Sequence, residues 1–146
     1  MKKINWLWYF IYALALACYI IFSSNILTLV NKQNDMTFNG LPLMIWSTII
    51  FIVLGLLLGL ESFLLEMGKE GEWKINLPKV VFLGLPSLYF SMATFIYYYS
   101  PDFIKPLSFP SLFFIVNKTN FISIFKIILG YTIITSFVKV KGHYYK

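Results

Sequence analysis

The sequence predicts an all-α integral membrane bundle of four transmembrane helices, forming one transmembrane domain over residues 1–146. Three observations predict it. Of the 146 residues, 59% are hydrophobic and only 12% are charged, whereas a soluble domain carries about 25% charged and about 45–50% apolar residues. The mean hydropathy is +0.76. The apolar residues also gather into four long runs instead of being spread along the chain. A soluble fold of this length exposes too much surface for so few charges to cover. Disorder requires the opposite composition, and the single Cys18 excludes a disulfide framework.

Each run is judged against the bilayer, whose hydrocarbon of about 30 Å takes about 20 residues of helix to cross. Residues 4–30 carry no charge, and their strongly polar patch is Ser23-Ser24-Asn25. This run is longer than a crossing needs, so it is expected to tilt or to enter the interface. Because it follows Lys2 and Lys3, it must also be weighed as a signal peptide. Ala17 before Cys18 resembles a cleavage box, but Leu16 is bulky and Tyr19-Ile20-Ile21-Phe22 continues the apolar run. Cys18 is therefore expected as a small buried apolar residue. Residues 41–60 are uncharged and rich in Leu and Ile. Residues 80–99 hold Pro86, which should kink their helix by removing a backbone hydrogen bond. Residues 121–138 are apolar apart from Lys126 and a few hydroxyls.

The connections are polar. Residues 31–40 read as a turn, with Pro42 near the start of the next helix. Residues 61–78 form the longest charged stretch, with Gly68 and Gly71 as helix-ending residues. Residues 100–120 contain Pro101, Pro106 and Pro110. The apolar run that follows, from Leu112 to Val116, is too short to span, so 106–118 is expected as a Pro-rich interfacial or re-entrant segment before the last helix.

Orientation follows from the lysines. Lys2, Lys3, Lys69, Lys74, Lys79, Lys139, Lys141 and Lys146 fall on one side, against Lys32, Lys105 and Lys118 on the other. Both termini are expected in the cytoplasm. The chain has no arginine and is rich in Ile, Phe, Tyr, Asn and Lys, the bias of an AT-rich genome, which suggests a bacterial cytoplasmic membrane. The net charge of +6 does not point to nucleic acid, because the lysines sit at the edges of apolar runs.

Helices in lipid associate by close packing and hydrogen bonds, so small residues one turn apart mark candidate contacts. Gly55 and Gly59 form a Gly-x-x-x-Gly pattern, and Ala13 and Ala17 give the first helix a similar face. Gly84, Ser87, Ser91 and Thr94 lie along the third, while Thr119, Ser123, Lys126 and Gly130 lie along the fourth. The Gly55/Gly59 face reads either as packing within this chain or as a surface for self-association or a partner.

Lys126 is the one charge inside an expected span, and such charges are functional candidates. At a similar depth the other runs offer Ser23, Ser24 and Asn25, then Ser47 and Thr48, then Ser91 and Thr94. Together with Ser123 they make a candidate polar layer in the outer half of the membrane. The alternatives are a snorkelling lysine with a structural role, an anion or lipid head-group site, and an ion or proton path. On the cytoplasmic side Glu61, Glu66, Glu70 and Glu72 are either a solvated helix end neutralised by Lys69 and Lys74, or a cation site or docking surface for a soluble partner.

Catalytic patterns are scarce. His143 lies in the tail and is the single histidine, so neither a Ser-His-Asp triad inside the bundle nor a Cys/His zinc site can be built. The sequence reading is therefore a non-catalytic accessory or scaffold subunit acting through helix contacts, with no cofactor and no metal. Its expected partners are the lipid bilayer and itself or another membrane protein, with no nucleic acid. The alternative is a small homo-oligomeric transporter or channel with its polar layer around Lys126.

Overall fold

The computed structural model describes residues 6–108 and 121–140. These are mostly helical, with four helices, three of them long and apolar enough to cross a membrane. Helix α1 is Trp6–Thr37 and helix α2 is Leu41–Met67. Strand β1 follows at Glu72–Ile75. Helix α3, Leu77–Tyr99, opens with a short α-turn, passes through a π-helical turn at Val80–Gly84 and continues from Leu85. A 3-10 turn occupies Lys105–Ser108, helix α4 is Phe121–Thr135, and strand β2 is Phe137–Val140. The expected segment at 106–118 lies almost wholly outside the described residues.

The chain falls into two compact units, Met1–Trp46 and Ser47–Lys146. In the first, α1 runs seven residues beyond the expected end of its apolar run, through the stretch read as a polar turn. Only Phe38, Asn39 and Gly40 break the helix. Phe38 takes a φ of 53°, and its N–H bonds the Asn34 carbonyl at 2.8 Å, a left-handed cap on a residue that is not glycine. Asn39 then accepts from the Leu41 N–H through its side chain at 3.2 Å, starting α2. Along α1, Ser23 alone is fully buried. Cys18 is exposed, which corrects the expectation of burial: on a helix with apolar residues all round, an apolar character does not choose a buried face.

The second unit holds the tertiary structure. α3 and α4 run antiparallel, because Phe90 stacks on Phe125 at 4.6 Å while Ala93 packs with Ile122 and Gly84 faces Thr132. α2 and α4 run parallel, since Ser47 meets Lys126, Gly55 meets Ile127 and Tyr131, and Gly59 meets Ile134 and Thr135. The buried positions are mostly small or hydroxylated: Gly55, Gly59, Ser87, Ser91, Ala93, Gly130 and Thr132. Large apolar side chains such as Phe82, Leu85 and Ile133 lie outside. This distribution reverses that of a water-soluble domain.

Pro86 carries no N–H, and its ring opposes the carbonyl one turn back. The helix answers with the π-turn, in which the Leu85 N–H bonds the Val80 carbonyl. The Ser87 hydroxyl donates to the Leu83 carbonyl at 2.5 Å and the Gly84 carbonyl at 3.0 Å, supplying bonds that the interrupted ladder needs.

The strands were not foreseen, and they shorten the last expected span. Residues 137–138 belong to β2, not to a helix ending at 138. β1 and β2 pair antiparallel, with Trp73 opposite Lys139 and Ile75 opposite Phe137. Trp73 and Ile75 alternate with Glu72 and Lys74, the period-two pattern of a strand. Gly71 allows the turn into β1 with a φ of 139°, a conformation that side chains disfavour. The Asn76 N–H extends the ladder to the Ser136 carbonyl at 2.8 Å, and its side chain caps α3 by accepting from the Lys79 N–H at 3.2 Å.

Candidate functional site: a buried lysine above a glycine crossing

The site is built on the contact between α2 and α4. A Cβ added to Gly55 would lie 2.1 Å from the Ile127 carbonyl oxygen, and one added to Gly130 would lie 2.0 Å from the Ile52 carbonyl oxygen. Backbone therefore touches backbone, which only glycine on both sides allows. A Cβ on Gly59 would meet the Ile134 and Thr135 methyls at 2.3 and 3.0 Å. The Gly-x-x-x-Gly face is thus occupied by the chain's own last helix. Gly84 is looser, with its nearest neighbours, Val80 and Thr132, at 3.6 and 3.7 Å. Ala13 and Ala17 are both exposed on α1.

One turn before Gly130, Lys126 is 6% exposed. Its ammonium donates to the Ser47 hydroxyl at 3.2 Å. The side chain does not snorkel to the surface but lies in the interior beside the crossing. All six acidic side chains of the chain are described: Asp102 pairs with Lys105, Glu66 with Lys69, and none pairs with Lys126. Among the described residues, Ser47 is the hydrogen-bond partner of this ammonium.

No family model, curated protein or solved structure matches the chain.

The other members of the expected layer differ in burial. Ser91 is fully buried and donates to the Leu88 carbonyl of its own helix at 2.8 Å. Thr94 and Ser123 are half-buried, and Thr48 is buried. Ser24 and Asn25 belong to the other unit and are exposed; the Ser24 carbonyl accepts from Thr28 at 2.8 Å.

Spacing along the sequence did not reveal a second buried polar group. Thr132, Thr135 and Ser136 are buried at the end of α4. Thr135 donates to the Tyr131 carbonyl at 2.6 Å and Ser136 to the Thr132 carbonyl at 2.5 Å. The Thr132 hydroxyl has no hydrogen-bond partner among the described residues. The hydroxyls were visible in the sequence, but nothing in their spacing said that α3 would cover them.

The acidic stretch is tied into the strand pair. Glu66 pairs with Lys69 and accepts the Lys139 backbone N–H at 3.1 Å. The Lys139 ammonium donates to the Met67 and Lys69 carbonyls at 2.8 Å each and lies 5.2 Å from the Trp73 ring centre. It satisfies carbonyls at the end of α2 and places a cation at the negative end of that helix. No group of three or more metal-ligating side chains occurs among the described residues.

Proposed function

We propose that the protein is a multi-pass protein of the bacterial cytoplasmic membrane with four crossings and both termini in the cytoplasm. In this reading it acts without catalysis, as an accessory or scaffold subunit that works through helix contacts. The observation that carries the reading is the difference between the two small-residue faces. Gly55 and Gly59 are used inside the chain, whereas Ala13, Ala17 and Cys18 on α1 are exposed. A partner helix would therefore be met on α1. The lysines at the ends of the apolar runs support the orientation, eight on the proposed cytoplasmic side against three on the other.

The test uses the single cysteine. Thiol crosslinking through Cys18 in native membranes is expected to give one product of defined mass, and Ala17→Trp is expected to remove it while leaving the protein's membrane level unchanged. A chain that stays monomeric under every crosslinker overturns the reading.

A second reading, a small transporter or channel, is favoured by the burial of Lys126 against Ser47. Loss of a solute flux in Lys126→Met, at unchanged membrane level, would support it over the first.

A further inference from the structure

We infer that a cleft in the second unit holds one acyl chain of an anionic phospholipid, with the lipid's phosphodiester on the Lys139 ammonium. The inference rests on the membrane part of the reading above and not on the accessory role. The cleft has a volume of about 340 Å³ and lies between α2, α4 and the strand pair. Leu56, Phe63, Ile133 and Ile134 line it along the helices, and Trp73 and Phe137 line it from the strands. No polar atom faces it, so water has no partners there. Left empty, it would deprive its walls of contact. A partner helix fits it poorly, because helices in lipid meet through small residues, and Gly55 and Gly59 already face α4. A hydrocarbon chain fits: Leu56 and Phe63 set a lining about 10 Å long at helical rise.

The head group is chosen at the strand end. Trp73 pairs with Lys139 and Ile75 with Phe137, so these four share one face of the strand pair, with Glu72 and Lys74 on the other. The face that lines the cleft thus carries a cation and no carboxylate. The Lys139 ammonium lies 5.2 Å from the centre of the Trp73 ring. Among the described residues, the Met67 and Lys69 carbonyls accept two of its three N–H donors, and the third can meet a phosphate oxygen. Glu66, which accepts the Lys139 backbone N–H, is already paired with Lys69. Helices α2 and α4 both end here, on the proposed cytoplasmic side, where a bilayer presents its anionic lipids.

The test uses the full chain in neutral detergent micelles with phosphatidylglycerol that carries a diazirine in one acyl chain. Irradiation is expected to label residues 56–63 and 133–137. Unlabelled phosphatidylglycerol is expected to displace the probe at about one-tenth the concentration that phosphatidylcholine needs. Lys139→Arg keeps that preference, whereas Lys139→Gln, which retains an N–H donor for the α2 carbonyls, removes it. Ile133→Trp fills the cleft from a half-exposed position and removes the label. Should that variant fail to accumulate, the two Lys139 variants decide. Label spread evenly over outward side chains such as Phe82 and Leu85 overturns the cleft and leaves the membrane reading standing. A chain that takes no label anywhere overturns both. Equal displacement by the two lipids, or a preference that survives Lys139→Gln, overturns the assignment of the head group.

Discussion

Gly55 and Gly130 are reciprocal: each lies where the other helix's backbone passes, opposite the Ile127 and Ile52 carbonyls respectively. A side chain on either one would push α2 and α4 apart along the whole contact that also holds Lys126 to Ser47.

The first prediction follows from that contact. Gly55→Ala or Gly130→Ala should cost about 3 kcal/mol or more, because the obstacle is backbone and cannot rotate away. Gly84→Ala should behave oppositely. Its nearest neighbours are at ordinary contact distance and its φ is −67°, so the gain in helix propensity should stabilise by about 0.5–1 kcal/mol. Unfolding of the three variants in detergent gives both signs in one experiment.

Thr132 offers a different sign test. Its hydroxyl is buried without a partner among the described residues, while its methyl packs near Gly84. Thr132→Val keeps the shape and removes the polar group, so it should stabilise by about 1 kcal/mol. A loss of stability of similar size would mean that the hydroxyl is bonded in the membrane.

Lys139 closes α2 from a distance of some seventy residues in sequence, through the Met67 and Lys69 carbonyls. Lys139→Ala should leave the apolar part of α2 intact and loosen its end. Hydrogen exchange in residues 67–75 should rise about five- to tenfold, the equivalent of about 1 kcal/mol for a partly exposed charged bond.

The pH dependence of the loop after α3 has a defined sign. The hydrogen bond from Lys105, at 2.7 Å, holds the Asp102 carboxyl below its ordinary pKa. The folded form therefore gains from this pair above the unfolded carboxylate's pKa, and the gain is lost as pH falls through the lowered folded value. Lys105→Met should raise the Asp102 pKa toward its ordinary value, as read by NMR titration of the carboxyl carbon. Since Asp102 is fully exposed, stability should hardly move.

The helices were legible because their cause is local: long apolar runs satisfy their own backbone, and Gly68 and Pro101 lie just past the ends of two of them. The length of α1 was misread because residues 31–37 are polar yet still helical, and polarity ends a membrane run without ending a helix. The strand pair was missed because its two halves lie far apart in sequence, and four-residue strands carry too few alternations to stand out. Lys126 was legible as a rare charge, and Gly55, Gly59 and Gly130 as small residues. Which of them would meet was not.

By itself the sequence determined that the chain is mostly helical and built on long apolar runs, and that the lysine inside the last of these runs has no acid nearby along the chain; that three of the helices, and not four, are long and apolar enough to cross a membrane came from the structure. Composition and periodicity fix the first two, since they depend on single residues and their near neighbours. Only the tertiary structure decided that the glycine face is filled from within, that Lys126 turns to Ser47, and that Lys139 caps α2. Each of these depends on which surfaces approach across long separations, and a single chain read residue by residue carries no distance between them.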